Sequence, residues 1–181
     1  MTTIYTQIES ILGPLLLVSR ENKLAGLYFL DQRHAPRIGS DWIRQDDAAI
    51  FLQTEDQLRE YASGERERFD LKIDLHGTPF QLQVWHEINA IPFGQTITYG
   101  DLAKRVGAPQ SVRAGGTATG ANRLSWIVPC HRVVGKNGSL TGYAGGLSRK
   151  SALLDFEAAR LSGQDVALAW DNNCAALPVM S

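Results

Sequence analysis

Apolar and polar residues alternate along the first thirty positions. Residues 4–8 alternate, Gly13-Pro14 interrupts, 15–19 form an apolar run, and 24–30 follow the polar stretch Glu21-Asn22-Lys23. A period of two punctuated by turn residues predicts three strands of a small antiparallel sheet. Residues 31–45 are polar and turn-rich. Over 47–62 the period lengthens, with Ile50, Phe51, Leu58 and Tyr61 on one face and Gly64 just beyond, which predicts a helix. Leu71, Ile73 and Leu75 alternate again and predict one more short strand.

The pattern changes near His76-Gly77-Thr78-Pro79. Thr78 can cap a helix with Pro79 at its first position, and Phe80, Val84, Trp85 and Ile88 continue it at helical spacing. Thr98 precedes a second helical segment from Tyr99 to Val106. Gly107-Ala108-Pro109 makes a tight turn, and 111–120 read as a third helix rich in small residues. Two short helices joined by a glycine-containing turn predict a helix-turn-helix. The fold class is α+β. A sheet-and-helix domain spans 1–76, a mainly helical domain 77–161, and 162–181, without clear periodicity, read as a mobile tail.

Composition narrows the setting. The chain has 181 residues, 44% hydrophobic and 20% charged, with no apolar run of the ~20 residues a membrane helix needs. The N-terminus shows no secretory signal, and two cysteines, Cys130 and Cys174, argue against a disulfide framework. Both features imply a reducing, cytoplasmic setting without membrane contact. Net charge is −1, but its distribution is uneven. Residues 1–98 hold nine Lys/Arg against fourteen Asp/Glu, 99–150 hold eight against one, and 151–181 hold one against four. A basic segment inside an acidic chain implies either one face for a polyanion such as a phosphate backbone, or an unevenly charged solvated surface.

The most informative stretch is Pro129-Cys130-His131-Arg132-Val133, delivered by the apolar residues Ile127 and Val128. A thiolate is a strong nucleophile, but an unperturbed cysteine is only a few per cent thiolate at pH 7. A neighbouring imidazole and basic residues can change that. Taken alone, a Cys-His pair is more often a buried structural cysteine beside a surface histidine. His34, His76 and His86 lack metal-ligand spacing, so no metal is expected, and no cofactor motif is present.

The ordered set of motifs resembles the O6-alkylguanine-DNA alkyltransferase family over about residues 78–160. The resemblance rests on Pro129-Cys130-His131-Arg132-Val133, on Asn122 eight residues before Cys130, and on Arg113-Ala114-Gly115-Gly116 and Tyr99-Gly100-Asp101-Leu102-Ala103 as the helix-turn-helix. Gly142-Tyr143-Ala144-Gly145-Gly146-Leu147 and Leu153-Leu154-Asp155-Phe156-Glu157 complete it. It implies a single-turnover DNA repair protein without cofactor, acting as a monomer on duplex DNA that carries O6-alkylguanine or O4-alkylthymine. Cys130 would take the alkyl group, with His131 as its base through a water and Glu157 behind His131. Asn122 would tie the recognition helix to the reactive turn. Tyr99 would hydrogen-bond the flipped base, and the Cys130 and Val133 carbonyls would accept from its amine. Arg113, Ala114 and Gly115 would meet DNA. Val133, Tyr143, Ala144 and Gly145 would wall the base pocket, with Gly145 leaving room for alkyl groups larger than methyl.

The chain departs from the family pattern at three places. Arg123 follows Asn122 where proline is frequent, Trp126 replaces an aliphatic residue, and Ala144 stands where serine is common. Two other readings differ in kind: a non-catalytic helix-turn-helix binder of alkylated DNA, and a cysteine hydrolase. Retention of Cys130 separates the chain from the first, and the helix-turn-helix is unexplained by the second.

Overall fold

The computed structural model describes residues 1–171. Strands β1 (Thr3–Ile8), β2 (Leu15–Arg20) and β3 (Lys23–Phe29) form an antiparallel meander. Glu21 and Asn22 join β2 to β3 with φ of 49° and 58°. Paired positive φ values give a turn whose twist matches the strands it connects. β4 (Ile43–Arg44) lies parallel to β1, so the order is β3-β2-β1-β4. The strand expected at 71–75 shrinks to a single parallel bridge, Ile73 to Leu24. The reason is competition for one edge: a second bridge, Leu27 to Leu124, takes the next stretch of β3, with Leu27 N–H donating to the Arg123 carbonyl at 2.8 Å.

Helix α1 (Ala49–Ser63) buries Ile50, Phe51, Leu58 and Tyr61 and stops at Gly64, φ 84°. Helix α2 (Pro79–Asn89) starts in a reciprocal cap: Gln81 N–H donates to Thr78 Oγ1, and Thr78 N–H to Gln81 Oε1. Thr98 and Asp101 cap α3 (Tyr99–Arg105) in the same way. Gly107, φ 71°, turns the chain toward α4 (Val112–Gly120). Trp85 of α2 donates its indole N–H to the Ala118 carbonyl of α4 at 2.8 Å. The helix-turn-helix is thereby fixed against the preceding helix. β5 (Ile97–Thr98) and β6 (Val133–Val134) form a short parallel pair, and α5 (Leu147–Leu161) closes the molecule. One buried cluster runs from Leu15 and Leu27 of the sheet through Phe51 and Tyr61 to Trp85, Leu102, Val128 and Leu153. Sheet and helices therefore share a core in an α+β fold. Among the described residues, no helix is long and apolar enough to cross a membrane.

The segment expected as a mobile tail is docked over its first ten residues. Leu168 is buried in the core and its N–H donates to the Ala62 carbonyl at 2.8 Å. Trp170 stacks on the Arg149 guanidinium at 4.3 Å. Two isolated apolar anchors give no periodic signal in a sequence. The remainder, with Cys174, lies outside the described residues. Leu168→Ala should lower the unfolding free energy by about 2 kcal/mol or more, measured by urea denaturation; an unchanged midpoint would mean that the segment contributes nothing.

Candidate active site

The site is built where the C-terminal end of α4, the 124–134 segment and α5 meet. Trp126 has φ 72°, a conformation that bulky residues rarely adopt, and it turns the chain into Pro129 and a single 3-10 turn, Cys130–Arg132. The parallel register Ile97 to Val133 and Thr98 to Val134 then sets Tyr99, the first residue of α3, beside that turn.

Asn122 is the pin between α4 and the turn. Its Nδ2 donates to the Cys130 sulfur at 2.9 Å and to the Val128 carbonyl at 3.2 Å, and its Oδ1 accepts from Leu124 N–H at 2.9 Å. The Cys130 thiol donates to the Thr119 carbonyl at 3.6 Å. Burial pushes this thiol up to about 12, against the opposing effects of the Asn122 hydrogen bond and the Lys150 charge. At neutral pH it is therefore a thiol, and its proton must leave as it reacts.

Behind it, His131 Nε2 meets Glu157 Oε1 at 2.8 Å, with both side chains essentially inaccessible. Glu157 also accepts from the Tyr61 hydroxyl, from Gly94 N–H at 3.1 Å, and from Arg132 at 2.8–3.2 Å through Nε and Nη2. Burial alone would raise this carboxyl, but the charges and hydrogen bonds of His131 and Arg132 hold it well below the usual carboxylate range. Burial holds the imidazole below its ordinary value of 6.5, outweighing the pull of Glu157. An ionised Glu157 beside a neutral His131 places the shared proton on Nε2. The lone pair is then on Nδ1, which no described residue satisfies.

Cys130 opens on a cavity of about 650 Å³. Tyr99, Tyr143, Ala144 and Asn122 line it, together with Gly116, Thr119 and Gly120 from α4. The Tyr99 hydroxyl donates to the Thr141 and Gly142 carbonyls at 3.1 and 3.3 Å. Two expected wall residues are elsewhere. Gly145 is buried against the sheet, where a Cβ would approach the Phe29 ring to 2.5 Å and the Tyr143 ring to 2.8 Å. Its glycine answers packing, not alkyl size. Val133 does not line the cavity, and its carbonyl accepts from Lys150 Nζ at 2.5 Å. Arg113 and Ala114 stand on the opposite side of α4, in a shallow depression with Thr78 and Thr117, and Gly115 is buried between the two sides. Among the described residues, no group of three or more His, Cys, Asp or Glu could hold a metal ion.

The site also draws on residues that the sequence reading left out. Tyr61, Arg132 and Lys150 are buried in it, and Lys150, held down to about 8 by burial, clamps the carbonyls of Val133, Thr141 and Gly142. Arg132, Arg149 and Lys150 are thus engaged inside the protein. The basic excess of 99–150 reaches the surface only through Lys104, Arg105, Arg113, Arg123 and Lys136.

The family model for the DNA-binding domain of 6-O-methylguanine DNA methyltransferase matches residues 79–159, and the model for the ribonuclease-like domain of the same proteins matches 3–75. The methylated-DNA–protein-cysteine methyltransferase of Mycobacterium tuberculosis is 44% identical over 156 residues, covering 86% of this chain and 93% of the relative. The one from Methanosarcina acetivorans is 41% identical over 153 residues, covering 84% and 97%. The crystal structure of M. tuberculosis OGT in complex with DNA superposes with a TM-score of 0.79 at 43% identity, covering 87% of this chain and 94% of that one. On these matches the chain belongs to the 6-O-methylguanine DNA methyltransferase family.

Proposed function

We propose that this protein repairs alkylated DNA by moving the alkyl group from O6 of guanine, or O4 of thymine, onto Cys130. The observation that carries the reading is a single buried thiol facing a cavity, pinned by Asn122, with a His131–Glu157 pair behind it. In this reading the Cys130 sulfur attacks the alkyl carbon in line with its bond to O6. Its proton passes through a water to His131 Nδ1. The sulfur–carbon bond forms as the carbon–oxygen bond breaks, and the proton returns to the departing base. Cysteine thiol and O6-alkylguanine become thioether and guanine. Glu157 keeps the Nε2 proton in place, and so keeps Nδ1 the basic nitrogen.

The target carbon is unreachable within stacked DNA, so the base must be flipped out, which costs a few kcal/mol. Arg113 on the outer side of α4 fills the gap, and Tyr99 exchanges its carbonyl partners for the flipped base. Residues 77–161 carry the acceptor and the DNA face, and residues 1–76 supply the far wall of the cavity. The scheme needs no group from a second subunit, and in this reading the protein acts as a monomer in the cytoplasm. A non-catalytic binder would have no use for the pinned thiol.

Among the described residues Cys130 is the only free cysteine, so none of them offers a second thiol to regenerate a thioether there. Intact mass after incubation with excess O6-methylguanine duplex should therefore show one methyl group per protein and no further turnover. Cys130→Ala should take none while still binding DNA. Several turnovers per molecule would exclude the scheme. Arg113→Ala separates flipping from chemistry: transfer from duplex DNA should slow by about tenfold or more, the scale of a flipping contact, while attack on free O6-benzylguanine stays within a factor of two. Equal losses on both substrates would make Arg113 structural.

A further inference from the structure

The cavity at Cys130 is larger than a base with one methyl group requires. At about 650 Å³ it falls in the range of about 300–1,000 Å³ that encloses drug-sized ligands. One part of its lining comes from the N-terminal sheet and the 31–42 loop, through Arg20, Tyr28, Arg33, His34 and Trp42, and Arg123 lies beside them, its carbonyl accepting from Leu27 N–H on β3. No Asp or Glu lines any part of it. None of the three guanidiniums forms an ion pair with a described carboxylate. Burial raises the Tyr28 hydroxyl, and Arg123 and Arg20 both lie close enough to act against that shift. The loop that presents Arg33 is anchored, since Phe29 N–H donates to Gln32 Oε1 at 2.9 Å and Gln32 N–H returns to the Phe29 carbonyl at 3.1 Å.

Resting on the alkyl-acceptor reading above, we propose that this part of the cavity is an anion subsite for the tail of the transferred group. The substrate class it selects is O6-alkylguanine whose alkyl group ends in a carboxylate or phosphate. The alkyl carbon sits at the Cys130 sulfur, the rings of Tyr28 and Trp42 flank the chain of the substituent, and the arginines meet its charge. A DNA backbone phosphate is the other source of negative charge. The two sides of α4 argue against it: Arg113, Ala114 and Thr117 line the outer depression, whereas Gly116, Thr119 and Gly120 line this cavity. Backbone contacts fit the first side, and Arg20, Arg33 and Arg123 line the second together with Cys130.

The test compares transfer rates to Cys130, followed by intact mass, from O6-benzylguanine, O6-(4-carboxybenzyl)guanine and O6-(4-aminomethylbenzyl)guanine. In each, the benzylic carbon–O6 bond breaks, the sulfur–carbon bond forms and guanine leaves. The carboxylate probe should react about fivefold faster than the ammonium probe, the scale of one or two partly exposed charge pairs. The preference should collapse at about 1 M salt. Arg20→Ala with Arg33→Ala should shrink it at least threefold, with O6-benzylguanine and methylated duplex reacting within a factor of two of wild type. Equal rates for the two charged probes, or a preference untouched by the double variant, would overturn the subsite. A double variant that slows methylated duplex but keeps the probe preference would assign the arginines to backbone phosphates and overturn it too. If neither duplex nor any free base labels Cys130, the alkyl-acceptor reading itself fails, and the subsite with it.

Discussion

A carboxylate taken out of water must be paired or protonated, because burying an isolated charge costs far more than folding can return. Glu157 is fully buried, and its charge is held by His131, Arg132, Tyr61 and the Gly94 amide. These donors come from α1, from the loop between α2 and β5, and from the reactive turn, while Glu157 itself sits on α5. Satisfying one carboxylate therefore fixes four separate segments relative to one another. Arg132 extends the network, since its Nη1 donates to the Ile91 carbonyl at 2.8 Å. Aromatic rings seal it: Tyr61 packs on Phe69, Phe93, Trp126 and Phe156 with centroids 5.4–5.8 Å apart.

The same constraint sets the chemistry. Arg132 neutralises Glu157, so the carboxylate does not need an imidazolium, and burial keeps His131 neutral. A neutral imidazole next in the chain to a thiol raised by burial fits a nucleophile that is quiet until its proton has somewhere to go. Asn122 adds the geometry by joining the end of α4 to the sulfur. Helix α4 lines the acceptor cavity on one side and presents Arg113 on the other, so in the proposed reaction recognition and transfer would be linked over a single helix diameter.

Much of this was legible in the sequence, for specific reasons. Strands with one buried face write a period of two, and the hairpin at Glu21-Asn22 and the caps at Thr78 and Thr98 are local chemistry. The motif residues Cys130, His131, Asn122, Tyr99 and Glu157 follow one another in a fixed order, and the fold brings them to one place. What stayed hidden depends on distant partners. Arg132, Arg149 and Lys150 look like surface cations in a basic segment, but carbonyls and a carboxylate far along the chain hold them inside. Gly145 reads as an open pocket wall and is instead a site of contact with Phe29. The strand at 71–75 failed because edge competition on β3 is invisible in the alternation of Leu71, Ile73 and Leu75. Tyr61 falls on the apolar face that the helical spacing predicts, yet its hydroxyl role depends on a residue 96 positions away.

Burial keeps His131 a neutral imidazole, and Glu157 fixes its proton on Nε2, which leaves the lone pair on Nδ1. The direct measurement is nitrogen NMR of histidine-labelled protein, with the His131 resonances assigned by their loss in His131→Gln. The account predicts one protonated ring nitrogen, Nε2, and a bare Nδ1 at pH 7, persisting as the pH falls through 6.5, the ordinary imidazole value. A doubly protonated ring at pH 7, or a proton resident on Nδ1, would contradict it.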